Sequence, residues 1–119
     1  MAIEFTDQQK DAIKAKGTVL VSAAAGSGKT AVLTERVIRR ICDPRDSASI
    51  DRLLIVTFTN ASALEMRSRI AKALEEVSAQ NPNNLEILKQ KMLLGSAKIC
   101  TIDSFCIDLV NSTNFSAAK

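Results

Sequence analysis

Several residue types that carry chemistry are absent or scarce in this chain. Its 119 residues include no His, no Trp and no Tyr, and only 4 Phe. Without His, the chain cannot build His-based metal sites, His general bases or the usual Ser and Cys catalytic triads. With few aromatic rings, it has few stacking platforms for single-stranded nucleic acid. Gly and Pro number 4 and 2, which excludes collagen-like and low-complexity classes.

Cysteine is scarce as well. The chain has Cys42, Cys100 and Cys106, an odd number with no Cys-x-x-Cys pair. This pattern argues against a disulfide framework and against a zinc site, and we expect buried, reduced thiols.

Long hydrophobic runs are also missing. The longest, 19–21 and 53–56, are far too short to span a bilayer, and the N-terminus lacks the pattern of an export signal. The sequence therefore predicts a cytoplasmic protein with no membrane partner.

The composition that is present fits one soluble globular domain, with 46% hydrophobic and 24% charged residues. The net charge of +3 mildly favours an anionic partner but does not by itself indicate nucleic acid binding.

Hydrophobic periodicity predicts alternating helices and strands. Helices are expected over Thr6–Lys16, Lys29–Cys42, Ser62–Ser78, Leu85–Leu94 and Ser104–Val110, and strands over Thr18–Ser22, Leu53–Thr57 and Ala97–Ile102. Thr6 and Gln9 have the spacing of a capping box, and Asn60 is expected to cap the third helix. This order predicts an α/β fold with a parallel sheet between two helical layers, truncated to about three core strands. Residues 111–119 are small and polar, so we expect a frayed tail.

One segment carries a recognisable phosphate-binding pattern. It reads Ala23, Ala24, Ala25, Gly26, Ser27, Gly28, Lys29 and Thr30, and it joins a predicted strand to a predicted helix. The two glycines allow backbone N–H groups to turn inward, and the helix N-terminus adds further donors. Lys29 is suited to hold the β and γ phosphates, and the Thr30 hydroxyl is suited to ligate Mg²⁺. The segment predicts a P-loop that binds a nucleotide.

The reaction is less determined than the binding. Hydrolysis needs a second carboxylate near the metal, and Asp103 is the one acid that directly follows a predicted strand. One interpretation is therefore a small stand-alone NTPase that uses Asp103. Another is a non-catalytic binding or regulatory module.

Four segments together resemble superfamily 1 DNA helicases of the UvrD/RecB type. Phe5–Ile13 resembles the Q motif of this family, Ala23–Thr30 its Walker A motif, Val56–Arg67 its motif Ia and Thr101–Cys106 its motif Ib. The similarity is strongest to the helicase–nuclease subunits of bacterial double-strand-break processing complexes. An Ala at the first Walker A position is usual there.

The resemblance implies a RecA-like P-loop NTPase that uses ATP and Mg²⁺. Gln9 would contact adenine, and Ala23–Thr30 would hold the phosphates, with Lys29 and Thr30 part of an incomplete catalytic set. The residues implied to contact DNA are Phe58, Thr59, Asn60, Thr101 and Asp103. The family pattern has His where this chain has Asp103, and a carboxylate that faces phosphate is repulsive.

The resemblance further implies that residues 1–119 are the N-terminal part of the first RecA-like motor domain. The partners implied are single- and double-stranded DNA and a second helicase–nuclease subunit. The motor of this family needs two RecA-like domains, and its Walker B acids lie beyond residue 119. We therefore expect this chain alone to bind nucleotide weakly and not to unwind DNA. Arg67 and Arg69, beside motif Ia, are expected to be solvated charges.

Overall fold

The chain adopts an α/β arrangement of five α-helices and a parallel sheet within the residues described. The computed structural model describes residues 4–22, 28–45 and 48–117, with side chains as far as residue 113. The chain divides into two compact units, Met1–Ala48 and Ser49–Lys119, here called the N-terminal unit and the C-terminal unit.

The N-terminal unit contains helices α1 (Asp7–Lys14) and α2 (Lys29–Cys42). Helix α1 begins at the predicted capping box and ends two residues before the predicted Lys16. Helix α2 has the predicted bounds. Its inner face follows helical spacing, and the buried apolar side chains of the unit are Ile13, Val32, Val37, Ile38 and Ile41.

The strand predicted over Thr18–Ser22 is wrong. These residues form no regular structure, and the Leu20 side chain is 93% exposed. A strand exists only where a neighbouring strand satisfies its backbone hydrogen bonds, and a β-branched run cannot supply that partner by itself. Within the described residues the sheet has two strands instead of the three expected.

The C-terminal unit is a β-α-β arrangement. Strands β1 (Leu54–Thr57) and β2 (Lys98–Thr101) pair in parallel, and α3 (Asn60–Gln80) and α4 (Leu85–Leu93) connect them. Short 3₁₀ turns, Ile50–Arg52 and Leu94–Ser96, come before each strand. Helix α5 (Ile102–Ala117) follows β2.

The core of the C-terminal unit lies between the sheet and α3. Ile55 and Ile99 are opposite each other in the sheet, and both are buried. Met66, Ile70 and Leu74 recur every four residues along α3 and are also buried, as their spacing predicted.

Two features of this unit differ from the expectation, beyond shifts of one or two residues at other element bounds. Thr59 and not Asn60 caps α3, because the Thr59 hydroxyl accepts a hydrogen bond from the Ser62 N–H at 3.1 Å. Helix α5 continues to Ala117 through most of the predicted frayed tail. No Gly or Pro occurs between residues 102 and 117, so the two strongest helix-breaking residues are absent there.

Candidate functional site

The capping box at the start of α1 fixes the side chain of Gln9. The Thr6 N–H donates to Gln9 Oε1 at 2.8 Å, and the Gln9 N–H donates to Thr6 Oγ1 at 3.2 Å. This reciprocal pair confirms the predicted cap. Because Oε1 is tied to the backbone, the direction in which the amide group faces is restrained.

The amide of Gln9 lies beside Gly28, the residue that precedes α2. A Cβ placed on Gly28 would stand 3.1 Å from Gln9 Nε2, tighter than ordinary van der Waals contact. Gly28 also has a φ of 84°, in the left-handed region that side chains other than glycine's rarely adopt. The backbone conformation therefore favours glycine here, and a side chain would also displace the Gln9 amide by a few tenths of an ångström. The fold thus brings Gln9, from the segment that resembles the Q motif, next to Gly28, from the segment that resembles a P-loop.

The first turn of α2 presents the predicted phosphate-binding side chains. Lys29 and Thr30 are both exposed, and Gly28 offers no side-chain cap to the helix. The first N–H groups of a helix lack intrahelical partners and carry the positive end of its dipole. Together with the ammonium of Lys29, they suit an anionic group.

The residues Ala23, Ala24, Ala25, Gly26 and Ser27, predicted to complete the loop, lie outside the described residues.

A cavity of about 620 Å³ lies against these groups, within the size range of small-ligand sites. It is mixed in character. Polar lining comes from residues that include Thr6, Gln9 and Lys29, and apolar lining comes from residues that include Val19 and Val32. This lining suits a ligand whose ring has apolar faces and hydrogen-bonding groups at its rim, and which also carries an anionic group.

A second group of predicted residues meets at one edge of the sheet in the C-terminal unit. Thr57 and Thr101 are opposite each other at the ends of β1 and β2, so the residues that follow both strands emerge at the same edge. Phe58 follows β1 and is 90% exposed, and Asp103 lies exposed in the first turn of α5. Thr59 and Asn60 stand at the start of α3. The fold therefore brings together all five residues that the resemblance associates with DNA.

The same short device begins the helix after each strand. Thr59 Oγ1 accepts from the Ser62 N–H and donates to Ser62 Oγ at 2.8 Å. Thr101 Oγ1 likewise accepts from the Ser104 N–H at 3.1 Å and donates to Ser104 Oγ at 2.9 Å. The Thr-x-x-Ser spacing in the sequence is the signal for these two caps, and the sequence reasoning did not use it.

The residues at this edge differ in whether a ligand could reach them. Thr101 is buried and its hydroxyl is committed to the cap, whereas Phe58 and Asp103 are exposed. Two helix N-termini also lie at this edge, and the positive ends of their dipoles favour anions. The edge can therefore present an aromatic ring and two positive helix ends to a polyanion, against one opposing carboxylate.

The expectation for Arg67 is wrong, and the expectation for Arg69 is confirmed. Arg67 is half-buried and donates to the carbonyl oxygens of Leu94 at 2.7 Å and Ala97 at 2.9 Å. It thereby joins α3 to the turn that leads into β2. Arg69 instead pairs with Glu65 at 2.9 Å on the exposed face of α3.

The three cysteines differ in their exposure to solvent. All three are free, with Cys42 and Cys100 half-buried and Cys106 exposed, so the expectation of buried thiols is wrong for Cys106 and met only in part by the other two. Burial, followed by the charge of Glu35, raises the pKa of the Cys42 thiol above its usual value. A thiol that stays protonated is a poor nucleophile.

Residues 4–22, 28–45 and 48–117 contain no group of three or more His, Cys, Asp or Glu side chains placed to hold a metal ion. In the same ranges, no helix has both the length and the apolar character that crossing a bilayer requires.

Comparison with known proteins identifies the family. Residues 5–118 match the model of the UvrD/REP helicase N-terminal domain. An ATP-dependent helicase/nuclease subunit of Acetivibrio thermocellus is 54% identical over 110 residues, which cover 92% of this chain and 9% of that protein. Proteins of the same name from Listeria monocytogenes and Bacillus velezensis are 52% and 55% identical over 114 and 107 residues, covering 95% and 89% of this chain.

The chain spans 9% of the length of each of these curated relatives. The family model nevertheless covers almost every residue of the chain, and it includes both the Gln9–Gly28 pairing and the sheet edge. The chain therefore belongs to the UvrD/REP helicase N-terminal domain family.

Proposed function

We propose that residues 1–119 are the nucleotide-binding, N-terminal part of the first RecA-like motor domain of an ATP-dependent DNA helicase–nuclease. The observation that carries this proposal is the Gln9 amide beside Gly28, at the head of the helix that bears Lys29 and Thr30. The name of the relatives, which describes an ATP-dependent helicase/nuclease, supports the same activity. The whole protein would be an ATP-hydrolysing enzyme of double-strand-break repair and recombination, working in the cytoplasm with a second helicase–nuclease subunit.

The residues around the cavity fit ATP. Gln9 Nε2 is a donor, and Oε1, which accepts a hydrogen bond from the Thr6 N–H, carries a second lone pair; recognition of the adenine edge requires one donor and one acceptor. Lys29 and the N-terminus of α2 would hold the phosphates, together with the loop 23–27. The Thr30 hydroxyl would ligate Mg²⁺, which neutralises phosphate charge when it is bound.

The chain's own contribution is binding and orientation. The left-handed Gly28 and the capping box of Thr6 fix the base-reading amide and the phosphate-reading lysine on one small unit. We further propose that the helicase motor is completed outside residues 1–119 and that this chain alone has little or no ATPase activity.

Titration of the chain with Mg²⁺-ATP in a calorimeter, with phosphate release followed in the same samples, tests the nucleotide proposal. We expect weak, saturable binding without turnover. Binding with sustained phosphate release would instead support the small stand-alone NTPase and make Asp103 the next residue to replace. A chain that binds no nucleotide at millimolar concentration would contradict the proposal.

We propose that DNA runs along the edge where β1 and β2 end. The exposed Phe58 ring and the N-termini of α3 and α5 support this path, and Thr59, Asn60 and Thr101 shape it. Asp103 opposes a phosphate there, because it brings negative charge to the first turn of α5.

Replacement of Asp103 by Asn is expected to raise the affinity for single-stranded DNA by about 2- to 5-fold, the effect of removing one exposed charge repulsion. The gain should be larger at low salt, where screening is weaker. Fluorescence anisotropy of a labelled oligonucleotide at two salt concentrations measures it. Asp108→Asn is the matched control, because Asp108 is exposed on α5 but lies beyond its first turn. An equal gain in both variants would indicate a general charge effect and count against this DNA path.

A further inference from the structure

Arg36 connects the two helices of the N-terminal unit by a specific contact. It lies on α2, and its Nη1 donates to the carbonyl oxygens of Ala12 at 2.7 Å and Ile13 at 3.4 Å. Both carbonyls belong to the last turn of α1, where backbone oxygens have no partner within the helix. A guanidinium at this end also complements the negative end of the helix dipole.

Helix α1 depends on few interactions for its orientation. It has 8 residues, and Ile13 is its one buried side chain. Isolated helices of this length are marginal in water, so contacts with neighbouring elements decide where such a helix lies. The contact from Arg36 therefore fixes α1 at the end opposite its capping box.

Gln9 lies on this helix, one turn before Ala12. Its Nε2 stands beside Gly28, which directly precedes the helix that carries Arg36. A small rotation of α1 relative to α2 would move the amide away from Gly28, because Gln9 lies on α1 whereas Gly28 directly precedes α2. The place of Gln9 is thus set by the same two helices that Arg36 joins.

We propose that Arg36 is a positioning residue of the nucleotide site, which locks α1 onto α2 and thereby holds the Gln9 amide where the base is read. The effect on base recognition rests on the proposed nucleotide-binding function. The contact between the two helices rests on the two hydrogen bonds of Arg36 alone. Arg36 also lines the cavity, so a direct contact with the ligand is the competing role that the test has to separate.

The first measurement needs no nucleotide. In the NMR spectrum of the free chain, a nuclear Overhauser effect between the Gln9 side-chain amide and Gly28 reports their proximity. We expect it in the unmodified chain and in Arg39→Met, and we expect its loss in Arg36→Met. Arg39 is the matched control, since it lies on the same helix and forms an exposed ion pair with Glu35 at 2.9 Å. Arg36→Lys keeps a charged donor and should retain the signal in part, and it replaces Arg36→Met if that variant does not fold.

The second measurement is a double-mutant cycle on nucleotide binding. Arg36→Met should lower ATP affinity about 5-fold, the effect of one hydrogen bond, and should move the ratio of ATP to GTP affinity toward one. On a Gln9→Ala background the same replacement should cost nothing further. A general loss of stability would lower the affinities for ATP and GTP by the same factor and would leave their ratio unchanged.

Retention of the Gln9–Gly28 signal in Arg36→Met, or its absence from the unmodified chain, would overturn the proposal. Additive losses in the cycle would also overturn it and assign Arg36 a direct contact with the ligand. Failure of the unmodified chain to bind ATP would refute the proposed function instead, and the nucleotide-free signal would still decide whether Arg36 positions Gln9.

Discussion

Replacing Lys29 with Ala is expected to weaken the binding of Mg²⁺-ATP by about 10- to 100-fold, as the loss of a charge-assisted hydrogen bond to phosphate predicts. Lys29 is exposed in the first turn of α2, where its ammonium adds to the positive end of the helix. Among the described residues that line the cavity, the other cation is Arg36, whose guanidinium donates to carbonyls of α1. Calorimetric titration of both chains under identical Mg²⁺ and salt conditions measures the effect.

Lys14→Ala is the matched control for this experiment. Lys14 is also exposed and in the N-terminal unit, but it lies at the end of α1 and does not line the cavity. We expect its ATP affinity to equal that of the unmodified chain. Equal affinity in Lys29→Ala and the unmodified chain would show that Lys29 does not hold the phosphates, and it would contradict a P-loop at this site. It would favour a binding module that does not use the phosphates.

Phe58→Ala is expected to lower the affinity for single-stranded DNA by about 10-fold, since stacking of one base on an aromatic ring contributes roughly 1–3 kcal/mol. The ring is 90% exposed directly after β1. The chain has no Trp or Tyr to replace it as a stacking platform. Because stacking releases no counterions, the dependence of affinity on salt should stay unchanged.

Leu64→Ala controls for the loss of exposed apolar surface near Phe58. Leu64 lies on α3, is 69% exposed and offers no ring. We expect this variant to bind a labelled oligonucleotide as the unmodified chain does, in anisotropy titrations at two salt concentrations. Equal losses in both variants would indicate non-specific apolar contact and would contradict a stacking role for Phe58.

The sequence predicted local structure best where a cap or a periodic face determined it. The spacing of Thr6 and Gln9 predicted the capping box, and the four-residue spacing along α3 predicted the buried stripe of Met66, Ile70 and Leu74. These features depend on residues close in the chain, so pattern alone suffices.

Long-range partners could not be predicted in this way. The run Thr18–Ser22 has strand-forming residues but forms no strand, because strand formation depends on a neighbour that the local pattern does not specify. Arg67 resembles any solvated charge in the sequence, yet it donates to carbonyls 27 and 30 residues away. Arg36 likewise reaches back 24 residues to Ala12.

The candidate sites also contain both features that the sequence indicated and contacts that it did not. Motif similarity indicated Gln9, Lys29 and Phe58 as candidates, and the structure shows that Phe58 is exposed and that Gln9 lies beside Gly28. The capping use of the Thr101 hydroxyl was not predicted, because a threonine that contacts a ligand and one that caps a helix have the same sequence signature.

We propose that nucleotide binds where Gln9, Gly28 and Lys29 meet. The most direct test is to map the ¹⁵N-labelled chain by NMR as Mg²⁺-ATP is added, following backbone amides and the Gln9 side chain. We predict saturable shifts at Gln9, Gly28, Lys29 and Thr30, with helix α4 unaffected. Shifts confined to other residues, or an unchanged spectrum at saturating millimolar ATP, would contradict the account.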